Sequence, residues 1–406
     1  MMNPVIKIFI LLLLTLATNR FVYADEVIIT TEFTPSAVNP GNNEFVNTTP
    51  ISGFCQTNAN TAYCRAGNVT IATNLSARNR VLNFNSTSLR DQLYQRIDNG
   101  WRIVTLYDRG SRKQITATFR ITAVFTRFVT RTGWDKDKFS VGGLSPVGGC
   151  ERATSLSSST VYDFGWIHPG PGLECYKKVP DVNVNDITIS PISIGYELRS
   201  LSPMSLPNGN YEGSISYFLG NNNAIDLGNA TYSDDELKIT IRTTIKHDFK
   251  VEHTSSQKVM LEPQGGWDTV IGSGSYEVPL RAQSTFALTA SAPFSLYLEC
   301  EHNQLGNCAL QKEGSDETVP VIISVTMPQM RNIITGESVT DMVLPMRQNH
   351  MPSFNLEPTQ FNNAASSTVQ FKINGPDSRK MITQPGTTWK GAVTLVFDAD
   401  LPFASQ

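Results

Sequence analysis

From Ile115 to Phe125 every second residue is apolar. Ile115, Ala117, Phe119, Ile121, Ala123 and Phe125 alternate with Thr116, Thr118, Arg120, Thr122 and Val124. A period of two sets one group of side chains on one face of an extended chain, so a half-buried β-strand is expected. The same pattern runs through Ile192, Ile194, Tyr196 and Leu198, and through Phe294, Leu296, Leu298 and Cys300. Thr, Val, Ile and Phe fill these runs and suit a pleated surface. Turn-forming residues separate them at Pro207-Asn-Gly209, Asn221-Asn-Asn223, Gly265-Gly266 and Asn374-Gly-Pro376. Long amphipathic helices are nearly absent, and the best short helical candidate is Ser88 to Arg96, one or two turns at most. Many short strands with frequent turns predict an all-β chain built of β-sandwiches.

One run is too long for that design. Leu237, Ile239, Ile241, Thr243, Ile245, His247, Phe249 and Val251 span 15 residues, roughly 50 Å at about 3.3 Å per residue. A sandwich strand is shorter. The run is therefore read as two strands with a break near Lys246 to Asp248, and that break as a domain boundary. His247 and His253 fall on the apolar side of the run, where a buried, hydrogen-bonded histidine is expected rather than a catalytic or metal-binding one.

The N-terminus departs from the alternating pattern. Lys7 precedes an unbroken apolar run from Ile8 to Ala17, and Val22-Tyr-Ala24 ends in small residues. These are the parts of a secretory signal peptide over residues 1–24. Removing them leaves 382 of the 406 residues, enough for two domains. The expected division is a first domain over 25–246 and a second over 247–406.

An exported chain favours disulfides, and the six cysteines fall as Cys55/Cys64, Cys150/Cys175 and Cys300/Cys308. Sequence leaves their connectivity open, with near-neighbour pairing the economical choice. The five histidines do not stand at zinc-ligand spacing to any cysteine pair, so no metal is expected. Between Ser140 and Cys175 the composition turns to Gly, Ser and Pro, which predicts a long loop closed by Cys150 and Cys175.

No catalytic signature stands out. Gly272-Ser-Gly274 lacks the third glycine of a dinucleotide loop, and neither a GxSxG nor a P-loop occurs. Asp234-Asp-Glu236 is read as a solvated turn. The chain is expected to be no enzyme and to need no cofactor. Charge is more informative. Between Arg78 and Lys138 thirteen Lys/Arg face five Asp/Glu, in a chain of net charge −3. Arg78, Arg80, Arg102, Arg109, Arg112 and Lys113 are interleaved with Trp101, Tyr107 and Trp134. Guanidinium forks and flat aromatic faces suit an anionic glycan, and these nine residues are the candidate ligand patch. Export argues against nucleic acid as the target.

Two segments echo one another. Tyr211-Glu-Gly213-Ser-Ile215-Ser-Tyr217 and Trp389-Lys-Gly391-Ala-Val393-Thr-Leu395 both read aromatic-x-Gly-x-apolar-x-apolar. The second, continuing to Phe397, resembles the final strand of subunits assembled by the chaperone–usher fimbrial pathway. Asn39-Pro-Gly leading to Ser52-Gly-Phe-Cys55, Leu206-Pro-Asn-Gly-Asn-Tyr-Glu-Gly213 and Val325-Thr-Met-Pro328 resemble segments of colonization-factor and cable-pilus tip subunits.

The resemblance implies two immunoglobulin-like β-sandwiches, the C-terminal one incomplete and completed by a donor strand. Trp389, Gly391, Val393, Leu395 and Phe397 would then belong to the groove that receives the strand. The implied partners are a periplasmic pilus chaperone, an outer-membrane usher, a major pilin subunit and a surface receptor. The implied function is a tip adhesin, exported through the periplasm to the fibre tip. The alternatives are a non-binding subunit that initiates or caps the fibre, and a secreted carbohydrate-active enzyme. The paired arginines of the receptor site in colonization-factor adhesins have no counterpart, so no receptor site is carried over.

Overall fold

The computed structural model describes residues 25–83, 85–137, 145–178, 183–200, 202–347 and 354–399. The leader expected over 1–24 lies outside the described residues. The fold is all-β and divides into two compact units. The first holds the described residues up to Thr31, with Asn47–Ser200 and Asn210–Thr243; the second holds Glu32–Val46, Leu201–Gly209 and the described residues from Thr244 onward.

Two long antiparallel strands, Gln114–Val129 and Asn183–Ser200, form the spine of the first unit. Each changes its outer partner along its length. Asn183–Ser200 pairs first with Ala77–Asn83, then with Thr70–Ala72. Gln114–Val129 pairs first with Arg102–Asp108, then with Val161–Ile167. The sheet continues from Arg102–Asp108 through Gly209–Phe218 and Glu236–Ile245 to Asp25–Phe33. A separate three-stranded sheet joins Leu173–Lys177, Leu93–Ile97 and Ile225–Asp226.

The alternation from Ile115 holds as far as Ala123, and then Ala123 to Thr126 are all buried. The reason is a second cover. The short helices Phe54–Thr57 and Ala62–Arg65, joined by the Cys55–Cys64 disulfide, pack on Phe125, and the Phe54 ring stacks on it at 4.2 Å. The other two disulfides join Cys150 to Cys175 and Cys300 to Cys308. All three follow near-neighbour pairing.

Two local expectations are corrected. Ser88 to Arg96 is not a helix: a single 3-10 turn at Leu89–Asp91 leads into the strand Leu93–Ile97. Leu93, Tyr94, Gln95 and Ile97 are all buried between two partner strands, so pairing overrides the local pattern. The segment closed by Cys150 and Cys175 is not a long loop either. Glu151–Ser157 and Val161–Ile167 form a hairpin, anchored by the buried aromatic row Tyr162, Phe164 and Trp166.

The second unit is a β-sandwich. One sheet runs Phe249–His253, Leu280–Ala290, Asn362–Ile373, Thr318–Thr326, Asn307–Lys312. The other runs Met330–Asn332, Phe354–Pro358, Phe294–Cys300, Val393–Asp398. Phe286, Leu288, Val321 and Ile323 from the first sheet share one buried core with Phe294, Leu296, Leu298 and Leu356 from the second. At Asn374-Gly-Pro376 the expected turn opens a helix, Gly375–Ile382, with proline in its first turn, where a missing N–H is harmless. The long alternating run ends as the strand Glu236–Ile245, and the next strand starts at Phe249.

Candidate functional site

The last described strand of the second unit is made by a change of sheet. Lys390 and Trp389 pair with Gln311 and Lys312 in one sheet, and Val393–Asp398 pairs with Phe294–Cys300 in the other. Gly391 stands at the crossing. A Cβ there would lie 2.7 Å from the carbonyl oxygen of Ala309, so the two backbones approach only because glycine has no side chain. Beside it, the Ala392 N–H donates to Glu301 Oε2 at 2.9 Å.

Val393–Asp398 is the terminal strand of its sheet. Among the described residues one edge pairs with Phe294–Cys300, and no strand lies on the other. Val393, Leu395 and Phe397 pack on the core yet stay half-buried. Phe249–His253 is likewise the edge strand of the facing sheet. The Phe249 ring lies 5.1 Å from Phe294 and 6.1 Å from Phe397, and Phe286 lies 5.8 Å from Phe397. Two sheet edges thus border an apolar seam whose lining is incompletely covered. Such an edge invites pairing with another chain. Trp389, Gly391, Val393, Leu395 and Phe397 follow one another along this border.

The basic residues of the first unit do not form one patch. Arg78 and Arg80 lie on Ala77–Asn83, which pairs with the start of Asn183–Ser200; the same stretch meets the Val129 end of Gln114–Val129. Tyr107, Arg109, Arg112 and Lys113 sit at the hairpin that opens Gln114–Val129. The two groups are separated by most of a strand roughly 50 Å long at about 3.3 Å per residue. Trp134 donates its indole N–H to Ser158 O, beyond the Val129 end.

Many of these cations already have partners. Arg109 and Arg242 both bind Glu212 at 2.7 Å. Arg102 pairs with Asp98 at 2.8 Å and covers the Tyr217 ring at 4.1 Å. Trp101 is sandwiched between Arg120 and Arg199, with guanidinium carbons 4.5 and 4.3 Å from its centroid, and Glu197 joins both arginines.

Arg80 needs an outright correction, because it is fully buried. Its guanidinium donates to the carbonyls of Leu227, Val81 and Gln92. Burial pulls its pKa down to about 10, partly opposed by Tyr232, Asp91 and Asp226. Strict alternation from Ala77 would have pointed it outward. Asn79, at φ 55°, inserts an extra residue: Ala77 faces Ile189 while Arg80 faces Ile187. This bulge turns the following positions over.

Histidine placement differs between the units. In the first, His168 Nδ1 lies 3.2 Å from Cys150 Sγ, and the ligand atoms of Cys150, His168 and Cys175 fall within 4.8 Å of one another. Sequence spacing gave no sign of this grouping, because the hairpin folds His168 back. Both sulfurs are in the disulfide, so no thiolate is available for a metal. Burial holds His168 neutral, with its pKa pushed down to about 4. In the second unit, His247 Nε2 donates to Leu206 O at 2.8 Å, and its Nδ1 lies 3.1 Å from Ser291 Oγ. Burial lowers its pKa as well. His247 is thus hydrogen-bonded but only half-buried, and His253, farther along the same run, is exposed, so the buried side implied by the alternation does not continue past Ile245.

No family model and no curated protein matches the chain. Three solved structures show a weak similarity to it. One is a chaperone–tip adhesin complex of CFA/I fimbriae biogenesis: 10% identity, 80% of this chain and 85% of that chain covered, TM-score 0.25. A second is a mutant of the CFA/I enterotoxigenic E. coli adhesin CfaE: 8% identity, 94% of each chain covered, TM-score 0.26. A third is the CsuC–CsuE chaperone–tip adhesion subunit pre-assembly complex from archaic chaperone–usher Csu pili of Acinetobacter baumannii: 10% identity, 92% and 98% covered, TM-score 0.20.

Proposed function

We propose that the chain is a tip adhesin of a chaperone–usher surface fibre. In this reading residues 247–406 are a pilin-like, immunoglobulin-type sandwich that lacks one strand, and residues 25–246 bind a surface receptor of the glycan type. The observation that carries it is the half-covered terminal strand Val393–Asp398, whose outer edge has no strand among the described residues. A segment added there would hydrogen-bond to that edge and set its own apolar side chains over Val393, Leu395 and Phe397. This is β-strand addition, with main-chain bonds supplying affinity and pockets supplying register. A periplasmic chaperone would fill the seam first, and an arm of the next subunit would replace it at the usher. The chain then acts at the cell surface by binding, with no chemical step.

Co-expression with cognate periplasmic chaperones tests this. A one-to-one complex that keeps the chain soluble is the expected result. A stable monomer secreted without any chaperone would overturn the incomplete-sandwich reading.

A further inference from the structure

A second site is built into the first unit, away from the hairpin that carries Arg109 and Arg112. A cleft of about 570 Å³ opens between the strand Ala77–Asn83, the turn around Arg90 and the 219–232 segment. Asn79, Arg90, Asp91, Asn221, Asn229 and Tyr232 supply its polar lining, and Val81, Gly220 and Ala230 its apolar part.

The support beneath the cleft is unusually fixed. Arg90 grips Asp226 with two bonds, Nε to Oδ2 at 2.8 Å and Nη2 to Oδ1 at 3.1 Å. The same guanidinium donates to Asn229 Oδ1 and to Gly228 O. Asp91 accepts from Ser86 Oγ at 2.6 Å and from Asn229 Nδ2 at 2.5 Å. The Tyr232 hydroxyl accepts from the Leu227 N–H at 2.7 Å. Gly228, at φ 95°, brings its backbone so close that a Cβ would meet Arg80 Nη2 and Arg90 O, each at 2.5 Å. Buried Arg80 completes the frame by binding backbone carbonyls on both sides. Buried charge is a costly way to hold a loop, and an apolar core would serve stability at least as well. What such a network does supply is side chains locked in place before a ligand arrives.

We infer that this cleft binds a neutral carbohydrate residue. This inference rests on the reading of the first unit as receptor-binding. The lining mixes amide, carboxylate and guanidinium groups, which both donate to and accept from hydroxyls. Arg90 is balanced by Asp226 and Asp91, so the site has no excess positive charge for a sulfate or sialate. Tyr232 adds an aromatic wall and Ala230 a small apolar floor for the C–H face of a sugar ring.

The test uses the full chain on an array of neutral oligosaccharides ending in galactose, N-acetylgalactosamine, glucose, mannose or fucose, with sialylated and sulfated counterparts. The wild type should bind at least one neutral glycan, and raising the salt should change binding less than twofold. Ala230→Trp, which fills the cleft, should weaken that binding at least tenfold, and Asn221→Ala at the rim severalfold. Arg112→Glu, at the distant hairpin, should leave it unchanged. Binding that survives Ala230→Trp, or that is confined to sulfated and sialylated glycans and lost in Arg112→Glu, overturns the inference. Cell attachment separates the two readings. Attachment that persists in Ala230→Trp leaves the first unit a receptor-binding domain with its site elsewhere. A wild type that neither attaches to cells nor binds any glycan overturns both.

Discussion

Phe397, in the last described strand of the second unit, meets Phe249, in the first strand of its sandwich, with ring centroids 6.1 Å apart and planes tilted by 55°. The two rings come from edge strands of opposite sheets, and among the described residues neither strand has a partner on its outer edge there. Phe249 remains 36% exposed there. The seam is thus bordered by a strand edge on one side and aromatic side chains on the other.

Leu395 lies at the middle of that border. Leu395→Asp should abolish the chaperone complex, because a carboxylate on the seam could not be covered by an incoming strand without losing its water. Affinity isolation of the chaperone from periplasmic extract reads this out. Recovery of the complex at the wild-type level would place the interaction elsewhere.

Gly391 and Gly213 occupy equivalent places in the two units. Tyr211 pairs with Asp108, and a Cβ on Gly213 would meet Thr105 O at 2.2 Å; Trp389 pairs with Lys312, and a Cβ on Gly391 would meet Ala309 O at 2.7 Å. In both, the glycine sits over a carbonyl three residues back along the neighbouring strand. Alanine at either position should destabilise its unit by roughly 1–3 kcal/mol, as overpacking does. The tighter contact predicts the larger loss at Gly213. Thermal denaturation of each variant measures it.

Arg80→Met should cost roughly 3 kcal/mol or more. The methionine approximates the volume but leaves the carbonyls of Leu227, Val81 and Gln92 without their donor. Urea denaturation checks the magnitude. A neutral outcome would mean that the buried guanidinium contributes no net stability.

His168 predicts a pH dependence. Its folded pKa of about 4 lies below the ordinary 6.5. Between these values the unfolded chain takes up a proton that the folded chain refuses. Stability from this group is therefore complete above about pH 6.5 and declines as the pH falls toward 4, by roughly 3 kcal/mol in all. His247, also lowered by burial, acts in the same direction. Urea midpoints between pH 7 and pH 4.5 should fall less steeply in His168→Gln than in the wild type. Parallel curves would remove His168 as the cause.

The sequence by itself determined the fold class, because a buried face on a pleated strand demands alternation, and Ile115 to Ala123 or Phe294 to Leu298 show it directly. It also marked the three disulfides, since close cysteine pairs bracket short excursions of the chain, and it marked the final strand from Trp389 to Phe397. Tertiary structure decided what depends on neighbours distant in the chain. The bulge at Asn79 turned Arg80 inward, and no local pattern records a bulge. The length of Gln114–Val129 dispersed the arginines, because charge counted along the chain does not measure distance across a sheet. The cleft lined by Arg90, Asn229 and Tyr232 was invisible for the same reason: its residues are scattered over some 150 positions and meet only where backbone pairing brings three separate segments together.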